Sequence, residues 1–246
     1  MSIKRILVAL ALFGATAGSA GAAEDIYPIA AGGPGAFTGS VAVTSEYFFR
    51  GLSQTDDKPA VQGGLGYTHD FGGVSGSVGL WGSNVNFSDA TVEMDWTAGF
   101  SGTVYGATWN LGGIYYSYPG STDAGAALDQ NYGEVTGGLG YDFGLFALGA
   151  SVNYSPDFQA ESGSAWYLNG NVKIPLGKYV DLGAAIGRQY IDKNANFGVP
   201  DYTDYKVGLS TLLAGFNLEA AYVDTSLSTI QCGNCGRFVF TVSRTF

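Results

Sequence analysis

Acidic residues recur along the chain, and two of them, Glu93 and Asp95, stand two positions apart. Side chains two residues apart on a β-strand point to the same side, so such a pair could act as general acid and base. The sequence has one histidine and no G-x-S-x-G, H-E-x-x-H or Walker-type motif. We therefore interpret the carboxylates as facing a water-filled or salt-bridged interior, and we expect no enzymatic activity.

The segments that carry these residues alternate apolar and polar residues, as transmembrane β-strands do. In 91–100, Val92 and Trp96 share one side, while Glu93 and Asp95 share the other. The alternation predicts an all-β, antiparallel transmembrane β-barrel of about twelve strands, at 39–49, 60–69, 73–82, 90–101, 103–117, 131–142, 145–154, 163–174, 178–189, 202–212, 214–224 and 236–246.

The predicted connections between these strands alternate in length. Short ones lie at 70–72, 102, 143–144, 175–177 and 213, and longer polar ones at 50–59, 83–89, 118–130, 155–162, 190–201 and 225–235. An even-stranded barrel with both termini on one side requires this order. A two-sheet sandwich, the alternative fold, does not require it.

The N-terminal residues have the pattern of a secretory signal peptide. Lys4 and Arg5 precede the apolar run 6–13, and small residues follow up to Ala23. We predict a signal peptide over 1–22, a periplasmic lead-in over 23–38 and the barrel over 39–246. Removing Lys4 and Arg5 leaves 9 basic and 21 acidic residues, a formal charge of −12, so we expect no nucleic-acid partner.

Composition and the last strand favour a membrane barrel. Charged residues are only 13% of the chain and hydrophobic residues 46%, yet beyond the signal peptide no apolar run approaches the roughly twenty residues of a membrane helix. Phe238, Phe240 and Val242 recur at spacing two before the terminal Phe246. We expect the outer membrane of a Gram-negative bacterium, with outer-membrane lipid, lipopolysaccharide and the barrel-assembly machinery as partners.

Strand parity directs eleven ionisable side chains inward, since charged side chains facing lipid are destabilising. The predicted pore-lining residues are Glu46, Arg50, Glu93, Asp95, Glu134, Lys173, Asp204, Lys206 and Glu219, and Asp142 and Asp181 share their parity. Eight acids against three bases predict mild cation selectivity. Arg50 follows the first strand, in a loop that either folds inward and narrows the pore or stays solvated.

Two further features could support other chemistry. Cys232 and Cys235 are spaced as in a redox couple, half of a metal site or a local disulfide. The sequence has no second cysteine pair, so in an exported chain we predict a disulfide, with no metal and no cofactor.

Barrel hydrolases of the outer membrane commonly place a His at the outer rim, whereas His69 lies beside a predicted short turn at the opposite end.

Several motifs resemble those of one protein family. The stretches TSEYFFRGLSQT at 44–55 and KPAVQGG at 58–64 resemble the opening of the TorF-type porin family of proteobacteria, also called the Gcw_chp family. Weaker matches follow in order, at 81–85, 93–95, 115–120 and 131–135. The resemblance covers nearly the whole mature chain and implies an outer-membrane channel without catalytic residues.

We therefore expect a channel for passive passage of small hydrophilic solutes. Two alternatives remain open from the sequence. One is a closed structural or adhesive barrel whose interior is filled by side chains, because twelve strands lie between the filled eight-stranded and open sixteen-stranded barrels. The other is a hydrolase located at the barrel rim.

Overall fold

The structure, a computed structural model, describes residues 35–121, 128–233 and 235–246. The predicted signal peptide lies outside these residues. Within them the strands are β1 (Gly35–Thr44), β2 (Phe48–Phe49), β3 (Leu52–Ser53), β4 (Ala60–Asp70), β5 (Val74–Phe87), β6 (Ala90–Val104), β7 (Ala107–Ser117), β8 (Tyr132–Asp142), β9 (Ala147–Ser155), β10 (Ala165–Leu176), β11 (Val180–Ile191), β12 (Tyr202–Leu213), β13 (Phe216–Thr225) and β14 (Arg237–Thr245).

Three short helical segments lie in the loops: a 3-10 helix at Gln159–Glu161, α1 at Asn194–Phe197 and α2 at Thr229–Cys232. Over the three described ranges, no α-helix has the length and apolarity needed to cross a membrane.

The twelve long strands close into one barrel. Each pairs antiparallel with its neighbours along the chain, and β1 completes the circle by pairing with β14. At this seam the backbone N–H of Gly39 donates to the carbonyl of Phe246 at 2.8 Å. The prediction of a twelve-stranded antiparallel barrel is confirmed. Closure leaves no strand edge among these twelve without a partner.

Some predicted boundaries were wrong. The segment 83–89, predicted as a long loop, mostly extends β5, which joins β6 through Ser88 and Asp89. The first strand begins at Gly35, inside the predicted lead-in, and ends at Thr44 instead of residue 49. The other connections alternate as predicted between the short turns 71–73, 105–106, 143–146, 177–179 and 214–215 and the longer loops 45–59, 118–131, 156–164, 192–201 and 226–236. We name the two ends of the barrel the loop end and the turn end.

The outer surface of the barrel is an apolar band between two aromatic belts. Exposed aromatic residues near the loop end are Tyr115, Trp166, Tyr190, Tyr205 and Phe238, and near the turn end Phe37, Phe71, Tyr105, Phe143, Tyr179 and Phe246. Between them the outward side chains are mainly Val, Leu and Ile. From Tyr179 to Tyr190 along β11 the band is about 28 Å high, at roughly 3.4 Å per residue and a tilt of about 40°.

Candidate functional site

Residues 45–59, which we name the lumen loop, fold into the interior of the barrel instead of projecting from its end. Tyr47 and Thr55 are completely buried, although neither lies on a barrel strand. The ring centroid of Phe49 lies 5.7 Å from that of Tyr116 on β7. Of the two interpretations of this loop, inward folding and a solvated surface loop, the structure has the inward one.

Arg50 and Gly51 form the tip of the lumen loop, between the paired strands β2 and β3. Both have positive φ, 48° and 77°, as the type I′ turns that join such strands require. Glycine is needed at the second position, where a Cβ would stand 2.5 Å from Thr225 Cγ2 and 2.8 Å from Asp204 Cβ. Arginine rarely adopts a positive φ, so the contacts of its side chain must stabilise the turn.

Side chains of three barrel strands bind the Arg50 guanidinium. Its Nη2 donates to Oε2 of Glu134 on β8 at 2.6 Å, and its Nη1 donates to Oε1 of Gln189 on β11 at 2.9 Å. Its Cζ lies 4.2 Å from the ring centroid of Tyr167 on β10 and 5.7 Å from that of Phe158. We name Glu134, Gln189, Tyr167 and Phe158 the Arg50 seat.

The ion pair in this seat is almost completely shielded from water, with side-chain exposures of 3% for Arg50 and 1% for Glu134. Burial by itself would lower the pKa of Arg50, but the Glu134 carboxylate raises it above its ordinary value. Asn153 Nδ2 and the Tyr116 hydroxyl also donate to Glu134 Oε2, at 3.0 and 3.4 Å. Glu134 is therefore held in place by the wall as well as by Arg50.

The remaining carboxylates of the loop end are also covered. The Tyr47 hydroxyl donates to Glu93 Oε1 at 3.1 Å, and the Ser53 hydroxyl donates to Glu46 Oε1 at 2.5 Å. Glu93 and Asp95 expose only 1% and 2% of their surface. These residues were predicted to line a water-filled path, but in this conformation the lumen loop buries them.

One predicted position needs correction. Glu46 lies in the lumen loop and not on the first strand, because β1 ends at Thr44, whereas Arg50 lies in a loop as predicted, directly after β2. Asp204 lies on β12 and accepts a hydrogen bond from the Tyr167 hydroxyl at 3.1 Å. It therefore contacts the seat through Tyr167.

The turn-end half of the lumen contrasts with this filled region. Lys173 Nζ lies 3.3 Å from Asp181 Oδ2, and both side chains are 36% exposed. Nearer the middle, Lys206 Nζ lies 2.8 Å from Glu219 Oε1. Asp142, predicted to point inward, is exposed and accepts a backbone hydrogen bond within the turn that follows it. The partly exposed residues with lumen parity here are small or polar, among them Gly66, Ser77, Thr97, Ser101, Asn171 and Gly183.

The rim of the barrel ties the lumen loop to its neighbours. Arg237 Nη2 lies 2.8 Å from Asp57 Oδ1, joining the lumen loop to the start of β14. Asn86 Nδ2 donates to Asp56 Oδ2 at 3.2 Å, joining it to β5. Both contacts are exposed to solvent, so they stabilise the loop less than the buried seat does.

The last loop also covers this region. Cys232 and Cys235 form a disulfide, and Cys232 packs with Leu52 of the lumen loop on an apolar cluster that includes Tyr202 and Leu227. In the described part of the chain, no group of three or more His, Cys, Asp and Glu side chains is arranged to hold a metal ion.

His69 lies on β4, its ring centroid 4.6 Å from that of Phe71, at the turn end. That is the end predicted from the sequence, remote from the carboxylates of the loop end.

Sequence reasoning missed most of the Arg50 seat. Of its four residues, only Glu134 was identified; Gln189, Tyr167 and Phe158 were not. Parity along β11 would have directed Gln189 into the lumen as well. No local pattern marks its contact with Arg50, which is 139 residues away in the chain.

Solved structures of several outer-membrane channels have a similar fold. An outer membrane channel from Pseudomonas putida F1 has a TM-score of 0.55 at 12% identity, covering 87% of this chain and 96% of its own. The KdgM porin, in complex with disordered oligogalacturonate, has a TM-score of 0.53 at 10% identity, covering 85% and 98%. The NanC porin gives 0.52 at 10% identity, also covering 85% and 98%. At such low identity these likenesses describe the fold.

Comparison with curated protein sequences gave no match. The family model described as a bacterial protein of unknown function, Gcw_chp, matches residues 29–246. This agrees with the Gcw_chp part of the resemblance found in the sequence motifs, while the TorF-type label stays a prediction. The chain belongs to the Gcw_chp family of bacterial proteins.

Proposed function

We propose that the protein is an outer-membrane channel for the passive passage of small hydrophilic solutes, narrowed by its lumen loop. The observation that carries the proposal is a closed barrel with an apolar outer band and a polar lumen, entered by an inward-folded loop. Transmembrane β-barrels commonly combine an apolar outer band with a polar interior, because their strands alternate between the two faces.

The outer surface supports a membrane location. The band between the aromatic belts is about as tall as the roughly 25 Å apolar band of outer-membrane barrels. We therefore place the protein in the outer membrane of a Gram-negative bacterium, in contact with lipid and lipopolysaccharide, after insertion by the barrel-assembly machinery. Both described ends of the barrel chain, Gly35 and Phe246, lie at the turn end, which we assign to the periplasm.

The charge of the lumen supports mild cation selectivity. In the turn-end half and the middle, Lys173 and Lys206 each have a carboxylate partner. At the loop end, five carboxylates, Glu46, Glu93, Asp95, Glu134 and Asp204, accompany Arg50. The excess of carboxyl groups over basic groups is therefore concentrated at the loop end, where those that are ionised would favour cations. The oligogalacturonate of the KdgM complex is a polyanion, so we do not extend that ligand to this chain.

Planar bilayer recording tests the proposal. Purified protein refolded in detergent should insert and conduct, and under a KCl gradient the reversal potential should have the sign of cation permeation. The preference should weaken at high salt, because the Debye length falls from about 8–10 Å to about 3 Å at 1 M. A folded, heat-modifiable protein that never conducts would refute the channel, and a clear anion preference would refute the selectivity.

A closed structural or adhesive barrel is the second candidate, and burial favours it. Tyr47, Thr55 and Arg50 are almost completely buried, so the loop-end half is filled in this conformation. The two candidates differ in whether the lumen loop leaves its position. A folded protein without conductance, even when the loop is removed, would favour the structural role.

A further inference from the structure

We propose that the Arg50 seat is a binding site for small guanidinium cations, which Arg50 itself occupies in the present conformation. The inference rests on the proposed channel, because it names a class of solute that the filled half of the lumen would recognise. A solute of this class competes with Arg50 for the seat and thereby favours release of the lumen loop.

Barrel strands carry three of the four seat residues; the fourth, Phe158, lies in the loop between β9 and β10, and Phe49 of the lumen loop adds a ring 4.6 Å from Arg50 Cζ. Glu134 lies on β8, Tyr167 on β10 and Gln189 on β11, three strands held by continuous hydrogen-bonded ladders. Asn153 and Tyr116 hold the Glu134 carboxylate from the wall side. If Arg50 leaves, the same donors and acceptors stay in position, so the vacated seat keeps its geometry.

The contacts match a guanidinium group better than other cations. A carboxylate oxygen lies 2.6 Å from Nη2 and an amide oxygen 2.9 Å from Nη1, so two acceptors meet two nitrogens of one plane. The Tyr167 ring lies 4.2 Å from Cζ and offers its π-electrons to the same cation. An ammonium group lacks the planar fork that uses these acceptors together.

Arg50 is also an occupant that can be displaced. It stands at the tip of a two-residue turn with φ 48°, a conformation that non-glycine residues adopt at a cost. A free guanidinium solute would make the same contacts without this backbone strain. Asp204, which accepts a hydrogen bond from Tyr167, adds negative charge beside the seat.

Binding to a variant with an empty seat tests the proposal. Arg50→Gly removes the occupant and suits the positive φ. We would titrate refolded Arg50→Gly in detergent with n-propylguanidinium, and with n-butylammonium and n-propylurea as charge-matched and shape-matched controls. n-Propylguanidinium should bind roughly tenfold more tightly than either control. The double variant Arg50→Gly/Glu134→Gln should lose this affinity by about tenfold or more, because the charged acceptor is gone.

Two outcomes overturn the proposal. One is equal binding of n-propylguanidinium and n-butylammonium, and the other is equal affinity with and without Glu134→Gln.

If Arg50→Gly fails to refold, the yield of heat-modifiable protein becomes the measurement. n-Propylguanidinium should then restore this yield and n-butylammonium should not, and an unrestored yield refutes the seat. The titration is followed by calorimetry, which needs no ion flow. A protein that binds n-propylguanidinium but does not conduct would therefore refute the channel and leave the binding site standing.

Discussion

The loop-end and turn-end halves of the lumen are built on the same twelve strands but differ in what occupies them. At the loop end, Tyr47, Phe49 and Arg50 enter from the lumen loop and bury carboxylates of the wall. At the turn end, small and polar side chains leave Lys173 and Asp181 partly exposed. The difference teaches that strand number alone does not set the width of this barrel, because one loop decides how much of the lumen is filled.

The largest expected effect comes from removing the feature that separates the two halves. Replacing residues 46–57 with a short Gly-Ser linker should raise the conductance several-fold, because the turn-end half would then limit the flow. Thr44 and Ala60 already face each other in the β1–β4 ladder, so a short linker can join them. Single-channel recording measures the change.

A matched control, the α1 deletion, removes Asn194–Asn196 of α1 (Asn194–Phe197), none of which is buried, and keeps Phe197, whose ring centroid lies 5.3 Å from that of Phe158. This deletion should leave the conductance near that of the unaltered protein. Equal conductance of the lumen-loop deletion and the α1 deletion would mean that the loop-end half is not the constriction.

The second prediction compares the ion pair of the Arg50 seat with the ion pair nearer the middle of the lumen. Glu134→Gln should loosen the lumen loop, since breaking a buried ion pair costs about 3–5 kcal/mol. Glu219→Gln, which alters the pair with Lys206, should leave the loop in place. In a Thr55→Cys background, the rate of modification by a water-soluble thiol reagent reports loop release, because Thr55 is completely buried.

We expect Glu134→Gln to raise this modification rate at least about tenfold, because the free energy that holds the loop in place would fall by more than about 1.4 kcal/mol. If Glu219→Gln raised the rate as much as Glu134→Gln, the seat would have no special role in holding the loop.

The third prediction concerns selectivity and is smaller. The double substitution Glu93→Gln/Asp95→Asn should reduce the cation-to-anion permeability ratio by about twofold, since it removes two carboxyl groups that ions would pass once the lumen loop has moved. Asp142→Asn, at an exposed turn, serves as control and should change the ratio little. Reversal potentials under a KCl gradient measure both. An unchanged ratio in the double variant would show that passing ions do not sense these buried carboxylates.

The smallest effect is expected from the disulfide that lies above the lumen loop. Replacing Cys232 and Cys235 by Ser removes a link that closes only a few residues, so the constraint lost is small. Modification of Thr55→Cys, measured in this background, should change less than about threefold. A rise as large as that of Glu134→Gln would mean that the last loop, and not the Arg50 seat, retains the lumen loop.

The positions of the strands were predictable because the alternation of apolar and polar residues is a local property of the sequence. A residue on a strand faces either lipid or lumen, so apolar and polar residues alternate whatever the distant chain does. The error at 83–89 has the same origin. Asn84 and Asn86 point outward near the loop end, beyond the apolar band, while Val85 between them is buried inside, so the strand continues with its polar residues on the outer face. A local pattern therefore shows the membrane-facing part of a strand and not its end.

The sequence by itself determined the closed barrel, the inward carboxylates that lie on its strands and its apolar exterior, because each follows from residues two positions apart. The tertiary structure alone decided the fate of the lumen loop. Arg50 meets Glu134 and Gln189 across 84 and 139 residues of chain, and only the closed barrel brings β8 and β11 within reach of one guanidinium. A charge that parity assigns to the lumen can therefore be solvated or buried, and the packing of a distant segment decides which.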